Sequence, residues 1–425
     1  MGNRQGRKKQ QKGGGGAPAA AGATPPPPPG GTAGGGAGAP GGRVHIHRRY
    51  SHVAHNGGER EIGLNSFEIM KVLGKGSFGK VMLVRKKDTH KIYAMKTLRK
   101  AQLLKRNQIA HTATERNILQ NLNHPFLCEL QFAFQSKDKL YMVLEFMPGG
   151  ELFFWLKQQR RFSAHRCKLY AAEILLGLGF LHAHDIIYRD LKPENILMDG
   201  DGHLRITDFG LSKDGVKGEG AKNGTTTFCG TPEYLAPELL ENKGHGKAVD
   251  WWSLGTLLFE MMTGLPPFYD QNMQRMYDKI LHSPLRVPEY VGPDAKSILT
   301  GLLQRKVSER LGSNGDQEQI KAHAYWRKLG TRTLDWGAVE RKEYSPEFKP
   351  PNRSGSLDVA NFDREFTSQK AADSYVPSNL SATQVAQTNF QGFTYQGPSN
   401  LNPHDSDEED AGGLGTVGED NEDED

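Results

Sequence analysis

The sequence has few cysteines and no long apolar run. Cys128, Cys167 and Cys229 are its only cysteines and form no Cys-x-x-Cys pair, which excludes a disulfide scaffold and a thiolate zinc cluster. No apolar stretch approaches the roughly 18 residues that a membrane-spanning helix needs, and the mean hydropathy is -0.62. The first residues also lack the apolar core of a secretory signal peptide. We therefore expect a protein of a reducing compartment, first the cytoplasm, with the nucleus or a membrane surface as alternatives.

Glycine and proline are abundant, and their distribution divides the chain. The 425 residues include 50 glycines and 23 prolines, and nearly every residue from 13 to 42 is Gly, Ala, Pro or Thr. Because such a composition cannot bury a core, we predict a disordered leader over residues 1–62. Asp, Glu and Gly dominate residues 405–425, which predicts an acidic disordered tail over residues 401–425.

The folded body lies between these ends, where apolar periodicity runs from Phe67 to about residue 326. The pattern predicts strands at residues 67–73, 81–86, 92–97 and 141–146, with helical spacing over residues 100–121. From residue 151 the spacing is helical, most clearly at residues 166–182, 245–264 and 294–303. We predict an α+β fold with a β-rich lobe at residues 67–147 and a helical lobe at 148–328. Widely spaced aromatic residues then predict an extended tail, residues 329–400, anchored on this body.

The first chemical motif is the glycine-rich segment from Leu73 to Val81, L-G-K-G-S-F-G-K-V. Glycines let backbone N–H groups approach phosphate oxygens closely. In dinucleotide-binding folds the same spacing joins a strand to a helix, but here a second β-branched run follows and no helix start. We interpret the segment as a phosphate-binding loop between two strands; a plain glycine turn is the alternative.

A lysine occupies the next predicted strand on its inward side. Alternation places Lys96 on the same face as Ala94, and a core-facing ammonium needs a buried anion. The predicted helix supplies Glu115, so a Lys–Glu pair that grips phosphates is the functional hypothesis. The alternative is a solvated surface lysine.

The strongest motif is Y-R-D-L-K-P-E-N-I-L at residues 188–197, followed by D-F-G at 208–210 and A-P-E at 236–238. The carboxylate of Asp190 can accept the proton of a substrate hydroxyl. Asp208 and Asn195 can hold Mg²⁺, and Lys192 can neutralise a transferring phosphoryl group. These motifs resemble those of eukaryotic protein kinases, with Tyr188 where histidine is commoner.

The resemblance extends from residue 67 to about residue 397 and implies a bilobal kinase fold with ATP and Mg²⁺ at the cleft. It implies the following nucleotide residues: Leu73, Gly74, Gly76, Ser77, Phe78, Gly79, Val81, Ala94, Lys96, Glu115, Leu144, Glu145, Met147, Glu151, Leu197 and Thr207. It also implies a stack of side chains that links the lobes, formed by Leu119, Leu130, Tyr188 and Phe209 and anchored by Asp250. A buried ion pair is implied between Glu238 and Arg310.

Three segments resemble the AGC group of serine/threonine kinases. They are the approach to the Glu115 helix at residues 105–111, T-F-C-G-T-P-E-Y at 227–234, and F-Q-G-F-T-Y at 390–395. Within that group the chain looks most similar to the ribosomal protein S-six kinases, with the Akt and SGK branches next.

The resemblance implies regulation by phosphorylation. Thr227 is expected to be an activating site opposite Arg189 and His111, an exposed threonine without a role being the alternative. Thr394 is expected to control docking of Phe390 and Phe393 into a groove of the small lobe, lined by Gln135, Leu140 and Met142. Ser374 is a third candidate. The implied upstream enzymes are a phosphoinositide-dependent-type kinase and a target-of-rapamycin-type kinase.

Substrate choice follows from charge. Glu151, Glu194 and Glu260 match acidic positions that bind arginines before the acceptor residue, whereas solvated surface charges are the alternative. We expect a monomer that phosphorylates basic protein segments and has no nucleic-acid partner. A nucleic-acid binder is disfavoured because the basic residues are scattered and the end is acidic. A catalytically inactive scaffold would lack Lys96 or the residues of the catalytic motifs, and all are present.

The N-terminus carries a candidate signal for a lipid anchor. Met1, Gly2 and Asn3 fit N-myristoylation, and the basic residues that follow would add an electrostatic membrane contact. Gly6 stands where Ser or Thr is preferred, so a disordered basic leader is the favoured interpretation.

Overall fold

A computed structural model describes residues 62–76, 78–220, 224–352, 355–374 and 380–397. The predictions for the leader up to residue 61, for lipidation at Gly2, for Ser77 and for the acidic tail lie outside these residues.

Short strands form three sheets. The strands of the described residues are β1 (Phe67–Lys75), β2 (Gly79–Lys86), β3 (Ile92–Arg99), β4 (Leu130–Gln135), β5 (Lys139–Glu145), β6 (Gly150–Glu151), β7 (Ile196–Met198), β8 (Leu204–Ile206), β9 (Lys328–Leu329), β10 (Arg332–Thr333) and β11 (Tyr395–Gln396). A six-stranded antiparallel sheet in the order β1-β2-β3-β5-β4-β11 makes the first lobe. Strands β6, β7 and β8 form a smaller sheet below it, and β9 pairs with β10.

Helices dominate the second lobe. The helices of the described residues are α1 (Lys100–Lys105), α2 (Ile109–Asn121), α3 (Leu152–Gln159), α4 (Ala164–Ala183), α5 (Pro237–Leu240), α6 (Ala248–Thr263), α7 (Met273–His282), α8 (Pro293–Leu302), α9 (Asp316–Lys321), α10 (Trp336–Glu340), α11 (Arg364–Thr367) and α12 (Ala382–Gln387). Within the described residues, no helix combines the length and apolar character that crossing a bilayer would require. The predicted α+β class, a β-rich lobe followed by a helical lobe, is confirmed.

The helical spacing predicted over residues 100–121 is interrupted in the structure. Helix α1 ends at Lys105 and α2 begins at Ile109, and Asn107 between them has a φ of 52°. Asparagine tolerates this left-handed backbone better than most residues, so the chain turns here and α2 takes its own direction.

Helix α6 is the central buried helix of the second lobe. Trp251, Leu254 and Leu257 are fully buried on it, as expected for a helix surrounded by protein on all sides. It also carries Asp250, whose carboxylate accepts hydrogen bonds from the backbone N–H groups of Tyr188 at 2.8 Å and Arg189 at 2.7 Å. Bonds to a charged acceptor contribute about 1.5–3 kcal/mol each, so Asp250 holds the loop that contains these residues on the core.

The chain beyond β10 returns along both lobes and anchors itself through aromatic rings. Phe348 packs edge-on against Trp155 in the second lobe, with ring centroids 4.7 Å apart. Phe362 stacks on Phe146 at the connection between the lobes, 5.8 Å apart. Phe393 is 2% exposed and belongs to the core beneath the first sheet. This tail therefore reaches from the helical lobe to the β-rich lobe.

Candidate active site

The glycine-rich loop connects β1 and β2, and its glycines meet different structural requirements. A Cβ built at Gly79 would lie 1.6 Å from the carbonyl oxygen of Thr97 on β3, so packing requires glycine there. A Cβ at Gly74 or Gly76 would meet nothing within 4 Å, because these residues border open space. The loop is closed by a hydrogen bond from the N–H of Gly76 to the carbonyl of Gly79, 3.0 Å. The open side is where a phosphate chain has room.

Lys96 meets two carboxylates under this loop. Its ammonium donates to Glu115 at 2.7 Å and to Asp208 at 3.0 Å. Burial disfavours the ammonium, but the charges of Asp208 and Glu115 outweigh it and raise the pKa of Lys96 above its usual value. Lys96 in turn lowers the pKa of Asp208. Burial raises the pKa of Glu115, against the charge of Lys96. The contact between Lys96 and Glu115 is the pairing expected from the alternation of β3, and Asp208 is a second partner of the same ammonium.

Asp190 is the centre of a second hydrogen-bond network. Its carboxylate accepts from Lys192 at 2.8 Å and from the amide of Asn195 at 2.8 Å. Asn195 also donates to the backbone carbonyl of Asp190, 2.8 Å, which fixes the amide orientation. The carboxylate is therefore held in one orientation, as a group that accepts a substrate proton must be.

Thr231 completes this network, although the sequence motifs predicted no role for it. Its hydroxyl donates to Asp190 at 2.9 Å and accepts from Lys192 at 2.9 Å. The only sequence signal was its place in the T-P-E run that follows Gly230. The contact joins residues 41 positions apart, which spacing along the chain does not indicate.

Two site residues have strained backbones. Arg189 has a φ of 70° and Asp208 a φ of 58°, values that cost a non-glycine residue about 1–3 kcal/mol. The ring of Tyr188 packs edge-on against Phe209, centroids 5.7 Å apart, and both are buried. The anchored loop and the buried ring pair hold the strained residues in place.

Six of the predicted nucleotide residues line one cavity of about 360 Å³, together with Asp190, Lys192 and Asp208: Gly76, Phe78, Gly79, Val81, Lys96 and Glu115. The other predicted nucleotide residues that the structure describes are not among the residues that line it. They lie on the following elements: Leu73 and Gly74 on β1, Ala94 on β3 opposite Leu144 on β5, Glu145 and Met147 where the lobes join, Glu151 on β6 opposite Leu197 on β7, and Thr207 after β8.

The acidic residues predicted to bind substrate form one electrostatic cluster. Burial, followed by repulsion from Glu194, raises the pKa of Glu151 to about 7. Burial likewise raises the pKa of Glu260 to about 7, against the hydrogen bond that Tyr234 donates to it and with repulsion from Glu194 and Glu233. Glu233 was not predicted as a substrate residue. Glu151 and Glu260 can bind a cation but are only partly ionised at neutral pH.

The cations expected opposite Thr227 lie near one another. Burial, then the charges of Arg189 and Lys213, lower the pKa of His111. The Nη1 atom of Arg189 is buried and has no hydrogen-bond partner among the described residues. Thr227 is exposed, and its N–H donates to the hydroxyl of Thr225 at 3.4 Å.

The end of the tail binds the first lobe beside α2. Strand β11 pairs with β4, and Gln135 of β4 donates to the carbonyl of Phe390 at 2.8 Å. From α2, Arg116 donates to the carbonyl of Gly392 at 2.6 Å. Phe393 is buried in the same core cluster as Leu140 and Met142, and Thr394 is exposed. The tail thus contacts the helix that carries Glu115.

A second tail contact lies at Ser374. The ammonium of Lys139 donates to the Asp373 carboxylate at 2.5 Å and to the Ser374 carbonyl at 2.5 Å. The hydroxyl of Tyr141 donates to the same carboxylate at 3.0 Å. Asp373 therefore fastens this part of the tail to β5 without a phosphate.

Comparison with known proteins relates this geometry to two families. Residues 67–326 match the family described as protein kinase domain, and residues 354–395 match the protein kinase C terminal domain. The chain is 54% identical over 338 residues to "Protein kinase 2" of Dictyostelium discoideum, covering 79% of this chain and 68% of that protein. It is 50% identical over 342 residues to "Serine/threonine protein kinase ypkA" of Aspergillus fumigatus, covering 80% and 52%. It is 45% identical over 349 residues to "RAC-beta serine/threonine-protein kinase" of Mus musculus, covering 81% and 70%.

These relatives change the expected branch. They resemble the Akt, SGK and Ypk type, and the expectation that the ribosomal protein S-six kinases are most similar is not supported. The expectation rested on the segment at residues 390–395 and on the overall similarity of the catalytic domain. Both features are shared between branches and therefore do not distinguish them. The chain spans about half the length of the fungal relatives, 52% in one case and 49% in another.

Proposed function

The chain belongs to the protein kinase family, as a serine/threonine kinase of the AGC group, and from this premise we propose its reaction. The protein transfers the γ-phosphoryl group of ATP to serine or threonine in protein segments that carry arginine before the acceptor. The observation that supports this best is the meeting of Lys96, Asp208 and Asp190 at one cavity.

The residues present fit ATP and Mg²⁺. Gly74 and Gly76 border open space that phosphates can enter, and Lys96 offers a charged donor. Asp208 and Asn195 would hold Mg²⁺ together with phosphate oxygens, since Mg²⁺ usually takes only one or two protein ligands. Within the described part of the chain, no group of three or more His, Cys, Asp or Glu could hold a metal without such help. Bound MgATP supplies the phosphoryl group and a cation that spreads its charge.

The chain's own residues then orient the acceptor. Asp190, held by Asn195 and Thr231, accepts a hydrogen bond from the substrate hydroxyl and takes its proton. Lys192 places a positive charge beside that carboxylate, where charge on the transferring group develops. Most of the catalytic effect is then positioning and electrostatics, as in other phosphoryl transfers.

Phosphotransfer to a peptide with the pattern Arg-x-Arg-x-x-Ser tests this reaction. Asp208→Ala should lower the rate by at least about a thousandfold, the scale seen when a group that stabilises transferring phosphoryl charge is removed. The matched control is Asp201→Ala, which removes an exposed aspartate paired with Lys349 and should keep wild-type activity. An Asp208→Ala protein as active as the control would refute the proposed reaction.

We propose that arginine side chains of the substrate bind the acidic cluster of Glu151, Glu194, Glu233 and Glu260. The shared repulsion of these carboxylates supports this, because an arriving cation relieves it. A peptide array that favours acidic or proline-directed sequences would contradict it.

We propose that phosphorylation of Thr227 activates the enzyme. A phosphate adds a charge of about -1.5 to -2. The Nη1 atom of Arg189 has no partner among the described residues and would receive it, and Lys213 adds positive charge near His111. Thr227→Ala should stay inactive after incubation with a phosphoinositide-dependent-type kinase, whereas Thr226→Ala serves as the neighbouring control. Equal activation of both variants would exclude Thr227 as the site.

We propose that Thr394 phosphorylation, by a target-of-rapamycin-type kinase, strengthens docking of the tail end on α2. The exposed position of Thr394 beside buried Phe393 supports this, because a phosphate there needs no rearrangement. Ser374 remains a weaker candidate, since Asp373 already supplies a negative charge to Lys139. Mass spectrometry of the active protein, with activity of Thr394→Ala and Ser374→Ala, tests both sites.

A further inference from the structure

An ion pair that no motif predicted joins β8 of the second lobe to the end of β5 in the first lobe. Arg205 on β8 donates from Nη1 to the Glu145 carboxylate at 2.7 Å. Their side chains are 19% and 22% exposed, so the pair is mostly excluded from water. Glu145 is the last residue of β5, where the chain leaves the sheet of the first lobe.

Arg205 stands directly opposite the expected floor of the adenine site. In the β7–β8 register, Arg205 pairs with Leu197, and Leu197 pairs in turn with Glu151 of β6. Facing residues of an antiparallel pair project from the same side of the sheet. The residue that would support adenine from below and the residue that binds Glu145 are therefore immediate neighbours.

The partners of Arg205 and Glu145 are themselves fixed. The Glu145 carboxylate also accepts the N–H of Glu129 at 3.0 Å, and the same Nη1 atom of Arg205 donates to the Leu127 carbonyl at 3.2 Å. Leu127 forms a parallel bridge with Ile206, next to Arg205. The ion pair thus belongs to a hydrogen-bond network that links the β7–β8 hairpin to the segment joining the two lobes.

We propose that Arg205 is a positioning residue for the nucleotide. It holds the backbone from Glu145 to Met147 at a set distance above Leu197, so that adenine fits between the two. This inference rests on the proposed kinase function, because it names the part of that site which orients the purine.

The expected signature is a loss of nucleotide affinity without a loss of turnover. Adenine contacts are the same in the bound substrate and in the transition state, so weakening them raises KM for ATP and leaves kcat unchanged. Loss of one well-formed hydrogen bond to the purine corresponds to about a five- to tenfold weaker affinity. A purely structural role would instead lower stability and turnover for both substrates.

Full-length Arg205→Met, Arg205→Lys and Lys247→Met proteins test the proposal. Lys247→Met is the control, because it removes a 3.3 Å ion pair with Asp185, with side chains 26% and 39% exposed, that involves neither Glu145 nor Arg205. Equilibrium titration with ADP, without peptide, is combined with steady-state kinetics in ATP and in peptide. Thermal unfolding of each protein shows whether it remains folded.

Arg205→Met should weaken ADP binding and raise KM for ATP by about five- to tenfold, with kcat and KM for peptide within about twofold of wild type. Arg205→Lys should recover part of the affinity, since it keeps a cation. Unchanged ADP affinity in Arg205→Met, an equal loss in Lys247→Met, or a loss of kcat alone would overturn the proposal. If Arg205→Met does not fold, Glu145→Gln decides, and normal ADP affinity in that variant would equally overturn it.

The titration separates this proposal from the proposed reaction. A wild-type protein that binds ADP but transfers no phosphoryl group would refute the reaction, and the ADP affinities of the variants would still decide the role of Arg205. A wild-type protein that phosphorylates peptide while Arg205→Met binds ADP normally would refute the positioning role alone.

Discussion

The affinity for an arginine-containing peptide is expected to depend on pH, because two of the carboxylates that would bind it have raised pKa values. Burial and the charge of Glu194 raise the pKa of Glu151 and of Glu260 to about 7. A carboxylate attracts arginine only when it is ionised, and arginine keeps its charge throughout this range. The value of kcat/KM for peptide should therefore rise with pH through about 7 and level off above about 8.

The size of the effect follows from these pKa values. A group with a pKa of about 7 is roughly one-tenth ionised at about pH 6 and nine-tenths ionised at about pH 8. If one such carboxylate must be ionised, kcat/KM increases about tenfold over this range, and if both must be, about a hundredfold. Glu151 is more accessible to solvent than Glu260, which weakens the effect of burial on its pKa, so we expect Glu260 to cause the larger share.

Initial rates with an Arg-x-Arg-x-x-Ser peptide at saturating MgATP measure this dependence. Ionic strength is kept constant, because salt screens exposed charge pairs. Glu260→Gln should lower peptide affinity and flatten the profile, whereas Glu318→Gln, a change at an exposed glutamate paired with Lys321, should leave the profile unchanged. A control peptide with alanine in place of both arginines should show little slope.

Two results would refute this reasoning. One is a flat kcat/KM for the arginine peptide between about pH 6 and 8, which would mean that the carboxylates are already ionised or do not bind arginine. The other is an equal slope with the arginine-free peptide, because the titrating group would then belong to catalysis.

Three further predictions concern the scaffold. Arg310→Met removes a bidentate pair at 2.6 and 2.8 Å and leaves the buried Glu238 carboxylate without its cation; the unfolding free energy in urea should fall by about 3–5 kcal/mol, and a fall below about 1 kcal/mol would contradict this. Asp373→Asn weakens the contact with Lys139 and should speed amide exchange in residues 380–397 measured by mass spectrometry; unchanged exchange would show that this contact does not hold the tail. Gly79→Ala places a methyl group 1.6 Å from a backbone carbonyl of β3 and should lower the thermal midpoint by several degrees, whereas an unchanged midpoint would show that the loop moves freely away.

The sequence predicts well those features that depend on a residue pattern within one strand or helix. Strand β3 alternates between its two faces, so Lys96 could be placed toward the interior and its partner sought among nearby acids. Strand β4 is different, because L-Q-F-A-F-Q is buried on both faces and shows no alternation. Helix α7 falls in the part of the chain predicted as helical but was not singled out, because only Met276 and Ile280 of its ten residues are buried. Patterns of period two or 3.6 are visible only where one face differs from the other.

Site residues that depend on distant contacts could not be predicted from spacing. Thr231 meets Asp190 across 41 residues, and Arg205 meets Glu145 across 60. Neither residue type is unusual where it occurs, and each acquires a role only when the fold brings a carboxylate beside it. The catalytic motif was recognisable because its residues lie within ten positions of one another. The Arg205 contact needed the register of the β7–β8 hairpin.

The contacts also give a physical route from the tail to the catalytic lysine. Neighbouring residues of a helix point about 100° apart, and on α2 Arg116 binds the tail at Gly392 while Glu115 binds Lys96. A rotation or shift of α2 that breaks one of these contacts strains the other. We therefore propose that the docked tail favours the arrangement in which Glu115 faces Lys96 and Lys96 keeps its contact with Asp208. A docked and an undocked tail would then correspond to two states of one helix, which phosphorylation of Thr394 can bias.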